Sequence, residues 1–276
     1  MSHIFKYEDK SNNPKIKKSF CVFMDILGFS KQIIDNNNSN NEMTLFNKFY
    51  SLTKNEISKL NNEGNSAGLH CKVFTDNIVL GYPLHSDDGE SEFAFCLWAV
   101  QDYQLEMALN GFFVRGGFTI GSLFMDEITV YGKALIDAYS IESNIAVEPR
   151  IVLSEEALSL VKSHTEFYSE PHLSPQNSQI SVDTDGKGFV NYLQRLEYCN
   201  DDSLCIDIDK LITHKESVMK AALSNVSNTK VWQKYYWLCN YHNYFCSHVS
   251  NYNGFRSEAR IDESFFRREP SKLVNE

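Results

Sequence analysis

Apolar positions first concentrate in residues 19–27, SFCVFMDIL, a nearly unbroken run of the kind that forms a buried strand. One acid, Asp25, interrupts it, and a carboxylate in such a strand is costly to bury without a partner. Gly28 follows, and residues 30–35 begin an amphipathic helix that the asparagines of DNNNSNNE are expected to break. Leu45, Phe46, Phe49, Leu52, Ile57 and Leu60 then recur at helical spacing, and NNEGNSAG reads as a loop. In LHCKVFTDNIVLGYP two apolar strands flank Thr75-Asp76-Asn77, a tight turn. SEFAFCLWAVQDYQLEMALNG is a second helix closed near Gly111.

FFVRGGFTIGSLFM predicts a glycine-rich strand, and ITVYGKALIDAYSIESNI a strand that passes into a helix. RIVLS is a strand, EEALSLVK a short helix, residues 164–180 a polar loop, and DTDGKGFVNYL a turn entering a final strand. The tight hairpin requires antiparallel pairing, so the order predicts an α+β fold with helices on a mixed sheet. Residues 1–18 are polar and lysine-rich, an expected loose arm. One domain is expected over 19–198, a helical extension over 205–255 and a polar tail over 256–276. The extension's two helices are IDKLITHKESVMKAAL and the aromatic-rich NTKVWQKYYWLCNYHNYFCSHV.

The 276 residues are 42% hydrophobic, enough for a sizeable core, and carry a formal charge of -10 with seven arginines. That balance argues against a general nucleic-acid surface while leaving room for a small anion pocket. The seven cysteines are scattered with no CxxC pair, which fits thiols used as core residues in a reducing compartment and argues against zinc. No apolar leader and no run of roughly 20 apolar residues is present, so a cytoplasmic protein without a membrane partner is expected.

Candidate chemistry centres on Asp25, late in its strand, and Asp76, at its turn. Singly, one reads as a strand-end cap and the other as an ordinary turn acid. Together they suit two divalent ions, Mg2+ or Mn2+, which prefer oxygen ligands and leave places for phosphate oxygens. The helix start at Gly28, Phe29 and Ser30 offers free N–H groups to a triphosphate.

The segments VFMDILGFS, VFTDNIVLGYP and VRGGFTIGS…VYGKALIDAYSIES stand in the order seen in class III nucleotidyl cyclases, which the chain resembles over about residues 19–195. Phe23, Asp25, Ile26, Gly28, Phe29 and Ser30 fit that family's F-x-D-I-x-G-F-[ST] pattern. The resemblance implies a ferredoxin-like core, two metals on Asp25 and Asp76 with help from the Ile26 carbonyl, and a head-to-tail homodimer with composite sites. It further implies that Arg115 meets the triphosphate and that Lys187 matches a late phosphate-binding lysine. Departures are Thr75 for a glycine, His70 for a base-reading lysine, Thr129 for a purine-reading acid, and Ile136 and Ser140 for the transition-state Asn and Arg.

FTDN, RGG, YGKALIDAYSIES, DTDGKGFVNYL and KYYWLCNYHN are similar to the pyrimidine cyclases of Pycsar antiphage defence, over nearly the whole chain. That resemblance implies conversion of UTP, or CTP, to a 3′,5′-cyclic mononucleotide that activates a separate effector. His70 and Lys72 share a strand face with Asp76 and are candidates for reading the base or a phosphate, and Phe23 could line the pocket. The alternatives are an adenylate or guanylate cyclase with an atypical pocket, and a silent cyclase-like domain that senses a nucleotide.

Overall fold

The computed structural model describes residues 6–62 and 68–266. Residues 1–5 of the expected arm and 267–276 of the expected tail lie outside these. The chain divides into two units, Met1–Arg195 and Leu196–Glu276.

The first unit opens with β1 (Lys17–Ile26), α1 (Phe29–Asn38), α2 (Glu42–Asn62), β2 (His70–Phe74), β3 (Asn77–Pro83), α3 (Glu90–Leu109) and β4 (Val114–Met125). It continues with β5 (Val130–Tyr131), α4 (Lys133–Asn144), β6 (Ile151–Leu153), α5 (Glu155–Thr165), α6 (Gln176–Gln179), β7 (Ile180–Val182) and β8 (Gly188–Val190). The sheet runs β2-β3-β1-β4-β6-β8-β7, with β5 paired to β4. Only β4 and β6 run parallel; the other pairs are antiparallel. Its first four strands, in spatial order β4-β1-β3-β2 with helices after β1 and β3, make the ferredoxin-like βαββαβ arrangement. The expected α+β fold with a mixed, largely antiparallel sheet is what forms.

Alternation along β1 divides its side chains between two faces. Phe20, Val22, Met24 and Ile26 enter a core closed by Phe93, Leu97 and Val100 of α3 and by Ala157 and Val161 of α5. Burying each large apolar side chain there contributes about 2 kcal/mol. Helix α3 buries residues around most of its circumference, so it reads as apolar throughout rather than as an amphipathic stripe. On the other face Cys21 packs with Leu123, Ala134, Ala138 and Tyr7. Gly117 lets α4 approach directly: a Cβ there would stand 2.2 Å from the Ala138 carbonyl oxygen.

Three segments differ from the sequence reading. The asparagines do not stop α1 at residue 35; it continues to Asn38 and ends on Ser39, whose N–H bonds Asp35. The described part of the arm is folded onto the unit: the Asp9 carboxylate accepts from the N–H groups of Ser11 and Asn13, Lys15 N–H bonds the Tyr7 carbonyl, and Tyr7 is buried. Strand β7 and helix α6 form inside and at the end of the expected loop.

The second unit holds a hairpin, β9 (Glu197–Asn200) and β10 (Ser203–Ile206), then α7 (Ile208–Ser224) and α8 (Thr229–His248). Asp207 caps α7 by accepting from Lys210 N–H, and Asn228 caps α8 by accepting from Val231 N–H. Leu211, Val218, Leu238, Tyr241 and Phe245 are among the apolar residues it buries. Between the helices, His214 Nδ1 lies 2.9 Å from His242 Nδ1, and His242 Nε2 lies 2.8 Å from the Ala259 carbonyl oxygen. Among the described residues no helix is long and apolar enough to cross a membrane.

Candidate active site

Register puts the functional side chains at one end of the sheet. Asp25 pairs across β1–β4 with Arg115, so two side chains 90 residues apart in sequence emerge side by side. Arg115 Nε and Nη2 each stand 3.3 Å from Asp25 Oδ2, and Nη2 also stands 2.6 Å from Glu142 Oε1. Glu142 comes from α4 and is buried. Asp76, in the β2–β3 turn, closes on Asp25 from the neighbouring strands. Burial, then the Asp76 charge, push the Asp25 carboxyl up to about 6; Arg115 opposes this, while Glu142 and a hydrogen bond with Asp76 add to it.

The partner of Asp25 within the chain is therefore a cation, where the sequence reading expected metals alone. One guanidinium serves the half-buried Asp25 and the buried Glu142, with Asp76 as a third acid nearby. Glu142 went unnoticed in the sequence although its signal was there: Ala134, Ala138 and Ile141 mark the buried stripe of α4, and Glu142 lies on it, four residues after Ala138.

The other predicted residues divide. Gly28 caps α1 at φ 73°, a left-handed conformation that glycine adopts readily, and nothing else crowds it. Ser30 is exposed in the first turn. Phe29 is a core residue, its ring 4.7 Å from that of Phe49, so only its backbone remains at the helix start. Phe23 lies on the Asp25 face with its ring edge-on to Tyr139 at 5.4 Å. Ile136, Tyr139 and Ser140 are exposed along α4.

Lys187 stands apart from the aspartates' ion pairs. Its Nζ lies 3.7 Å from Glu155, beside a hollow of about 290 Å3 shared with Lys133 and Ser140. Buried Arg150 holds the turn that carries it through Asp183 and Asp185, at 2.6 Å each. His70 and Lys72 line a larger cleft of about 530 Å3 toward the opposite end of β2 from Asp76.

The β2–β3 turn is strained at Thr75, whose φ of 58° is unusual for a β-branched residue. Its hydroxyl bonds the Phe74 carbonyl and accepts from Asn77 Nδ2. Relief of left-handed strain of about 1–3 kcal/mol, less the flexibility glycine adds to the unfolded chain, should make Thr75→Gly about 1 kcal/mol more stable in denaturant titrations. A less stable variant would show that the two hydroxyl bonds outweigh the strain.

No family model matches the chain. No curated protein matches it either. Among solved structures it is similar to the guanylyl cyclase Cya2, at 15% identity and TM-score 0.40 over 53% of this chain and 79% of that one. It is also similar to an adenylate/guanylate cyclase/hydrolase from Silicibacter pomeroyi, at 15% identity and TM-score 0.37 over 64% and 95%. A third is the catalytic core of a rhodopsin-guanylyl cyclase with converted specificity in complex with ATPalphaS, at 17% and 0.40 over 64% and 97%. A likeness this loose says nothing of substrate or activity.

The donor set can be weighed for metals on its own chemistry. Two half-buried carboxylates held together, one pushed up to about 6, form a site short of positive charge. Among the described residues no three His, Cys, Asp or Glu side chains form a ready cage. Two carboxylates with places left for phosphate and water suit Mg2+ or Mn2+ better than a metal that demands a full protein cage.

Proposed function

We propose that the chain is a metal-dependent pyrimidine nucleotide cyclase that converts UTP, or CTP, to the 3′,5′-cyclic monophosphate with release of pyrophosphate. The observation that carries this reading is the meeting of Asp25, Asp76 and Arg115 at one end of a ferredoxin-like sheet. The motif-like segments converge there from three separate stretches of sequence.

Asp25 and Asp76 would hold two divalent ions, which when bound make the ribose 3′-hydroxyl more acidic and offset triphosphate charge. Arg115 pairs with Asp25 and would turn a guanidinium N–H toward the phosphates, with Glu142 keeping the group oriented. The N–H groups of the first turn of α1, opened by Gly28, face a polyanion favourably. Lys72 would bind the base in its cleft. Lys72 stands about 7 Å along β2 from Phe74, and the aspartates lie past that end of the strand. The site is taken to be composite, in a head-to-tail homodimer. The cyclic product would act on a separate effector in antiphage defence.

A silent nucleotide-sensing domain is the second reading. It is favoured by the two carboxylates on Arg115 and by Ile136 and Ser140, which stand where the resemblance places the transition-state Asn and Arg. Incubating the purified chain with each NTP and Mn2+ and identifying products by mass spectrometry separates the readings. Cyclic UMP or cyclic CMP is expected. Cyclic AMP or GMP alone would replace pyrimidine with purine, and no product at high enzyme concentration would leave the silent domain.

A further inference from the structure

Arg115 is shared between two carboxylates on unequal terms. Its Nη2 lies 2.6 Å from Glu142 Oε1 but 3.3 Å from Asp25 Oδ2. Its Nε stands 3.3 Å from that same Asp25 oxygen, so the contact with Asp25 is not the two-oxygen fork in which a guanidinium binds a carboxylate most strongly. The short arm of the bridge is the one to Glu142.

The two acids also differ in their surroundings. The Glu142 side chain is 4% exposed and that of Asp25 20%. Glu142 Oε2 accepts from Ser143 Oγ at 2.9 Å, which leaves Oε1 to the guanidinium. A carboxylate this deeply buried loses far more on losing its cation than one that keeps an open side. Asp25 is therefore the partner that Arg115 can give up. Backbone packing fixes the other partner in place. A Cβ on Gly117 would stand 2.2 Å from the Ala138 carbonyl oxygen and 2.8 Å from Ile141 Cβ, so α4 meets β4 most closely at the turn that precedes Glu142. Gly117 is two residues from Arg115 and on the same face of β4.

A divalent ion arriving at Asp25 and Asp76 brings two positive charges beside a guanidinium that is already there. Arg115 must draw back to admit it, and drawing back requires a second anion within reach. We infer that Glu142 is a positioning residue for metal binding: by retaining Arg115 at its own buried carboxylate, it frees Asp25 for a divalent ion and keeps the guanidinium beside the filled site. The inference rests on the metal-dependent reading and deepens it, because it makes the affinity of the site depend on a residue that acts through Arg115.

The test titrates the full chain with Mn2+ in the absence of nucleotide and follows the free-Mn2+ signal by electron paramagnetic resonance. Wild type is compared with Glu142→Gln, Glu142→Asp, Arg115→Gln and the double variant Arg115→Gln/Glu142→Gln. Glu142→Gln is expected to raise the Mn2+ dissociation constant by about tenfold or more, because Arg115 then falls back on Asp25. Glu142→Asp keeps the charge and should raise it less. With Arg115 already replaced by Gln, Glu142→Gln should change it by less than about threefold. An equal loss in both backgrounds would show that Glu142 acts by charge without Arg115, and overturns the inference. So does an unchanged dissociation constant in Glu142→Gln. If neither Glu142 variant folds, as judged by circular dichroism, the residue is structural and the inference fails as well. Each of these outcomes leaves the metal site standing as long as the wild type binds Mn2+; a wild type that binds none removes the metal-dependent reading along with the inference.

Discussion

Asp76→Asn is expected to abolish nucleotide cyclisation, lowering turnover by three orders of magnitude or more, about 4 kcal/mol of transition-state stabilisation, while the metal-free protein becomes more stable. Both effects follow from one cause. Asp25 is raised to about 6 first by burial and next by the Asp76 charge, so the folded state holds the Asp25 proton more tightly than an unfolded chain, whose carboxyl titrates near 3.8. A folded-state acid raised in this way contributes stability that is fully present below pH 3.8 and is lost as pH rises through 6. At pH 7 the metal-free site is a net cost. Neutralising Asp76 removes the like charge and should return about 1 kcal/mol, a rise of roughly 2–4 °C in melting temperature for a unit of this size. Thermal melts with and without Mn2+ test it independently of activity. The wild type should gain stability from Mn2+, and Asp76→Asn should gain little. An equal Mn2+ shift in the two proteins, or retained turnover in the variant, would defeat the proposed metal site.

That trade of stability against function was legible in part from sequence. The acid in SFCVFMDIL was conspicuous because its neighbours are apolar and strand-forming. Asp76 was placed in a tight turn because two apolar runs flank three turn residues. The partner of Asp25 was not legible in the same way. Arg115 meets it through the β1–β4 register, which depends on how whole strands align rather than on any local pattern. Glu142 was readable in principle from the buried stripe of α4. The strands β7, β9 and β10 are only three or four residues each, too short for alternation to stand out.

Tyr7 shows a different limit. A polar, lysine-rich composition carries no signal for order, and residues 1–18 read as a loose arm on that ground. Order in the described part comes from one acid closing a turn and one aromatic ring finding the space over Gly81. The converse case is Phe29. Its place beside Gly28 suggested a surface at the substrate, but a ring at the first position of α1 finds Phe49 and Phe112 behind it and becomes core. Neither outcome depends on residue type alone; each depends on what the opposing element leaves open.

The second unit is expected to lose on the order of 3 kcal/mol of stability between pH 7 and pH 4, through the buried histidine pair that joins α7 to α8. If His242 Nε2 donates to the Ala259 carbonyl, its Nδ1 is left to accept, and His214 Nδ1 must donate to it across 2.9 Å. That assignment allows the His242 ring only one proton. A further proton on His242 Nδ1 would set two donors against each other. Burial, above all, pushes His242 down to about 4; its bond to Ala259 opposes this and Lys215 adds to it. Burial and His242 likewise hold His214 well below its usual range. The Cys246 thiol, 3.4 Å from His242 Nε2, is pushed up to about 11, chiefly by burial, and does not titrate in this window.

Below pH 6.5 an unfolded chain binds protons that the folded pair refuses, so stability contributed at pH 7 falls as pH drops from 6.5 to 4. Asp25 acts with the opposite sign over pH 3.8–6, so acid should weaken the second unit while relieving the first. Circular dichroism melts from pH 7 to 4.5 should therefore separate into two transitions, the lower one moving with pH. His242→Gln keeps a donor for Ala259 and an acceptor for His214 without a titrating group, and should flatten that movement. An unchanged acid slope in His242→Gln would assign the pH sensitivity to other groups.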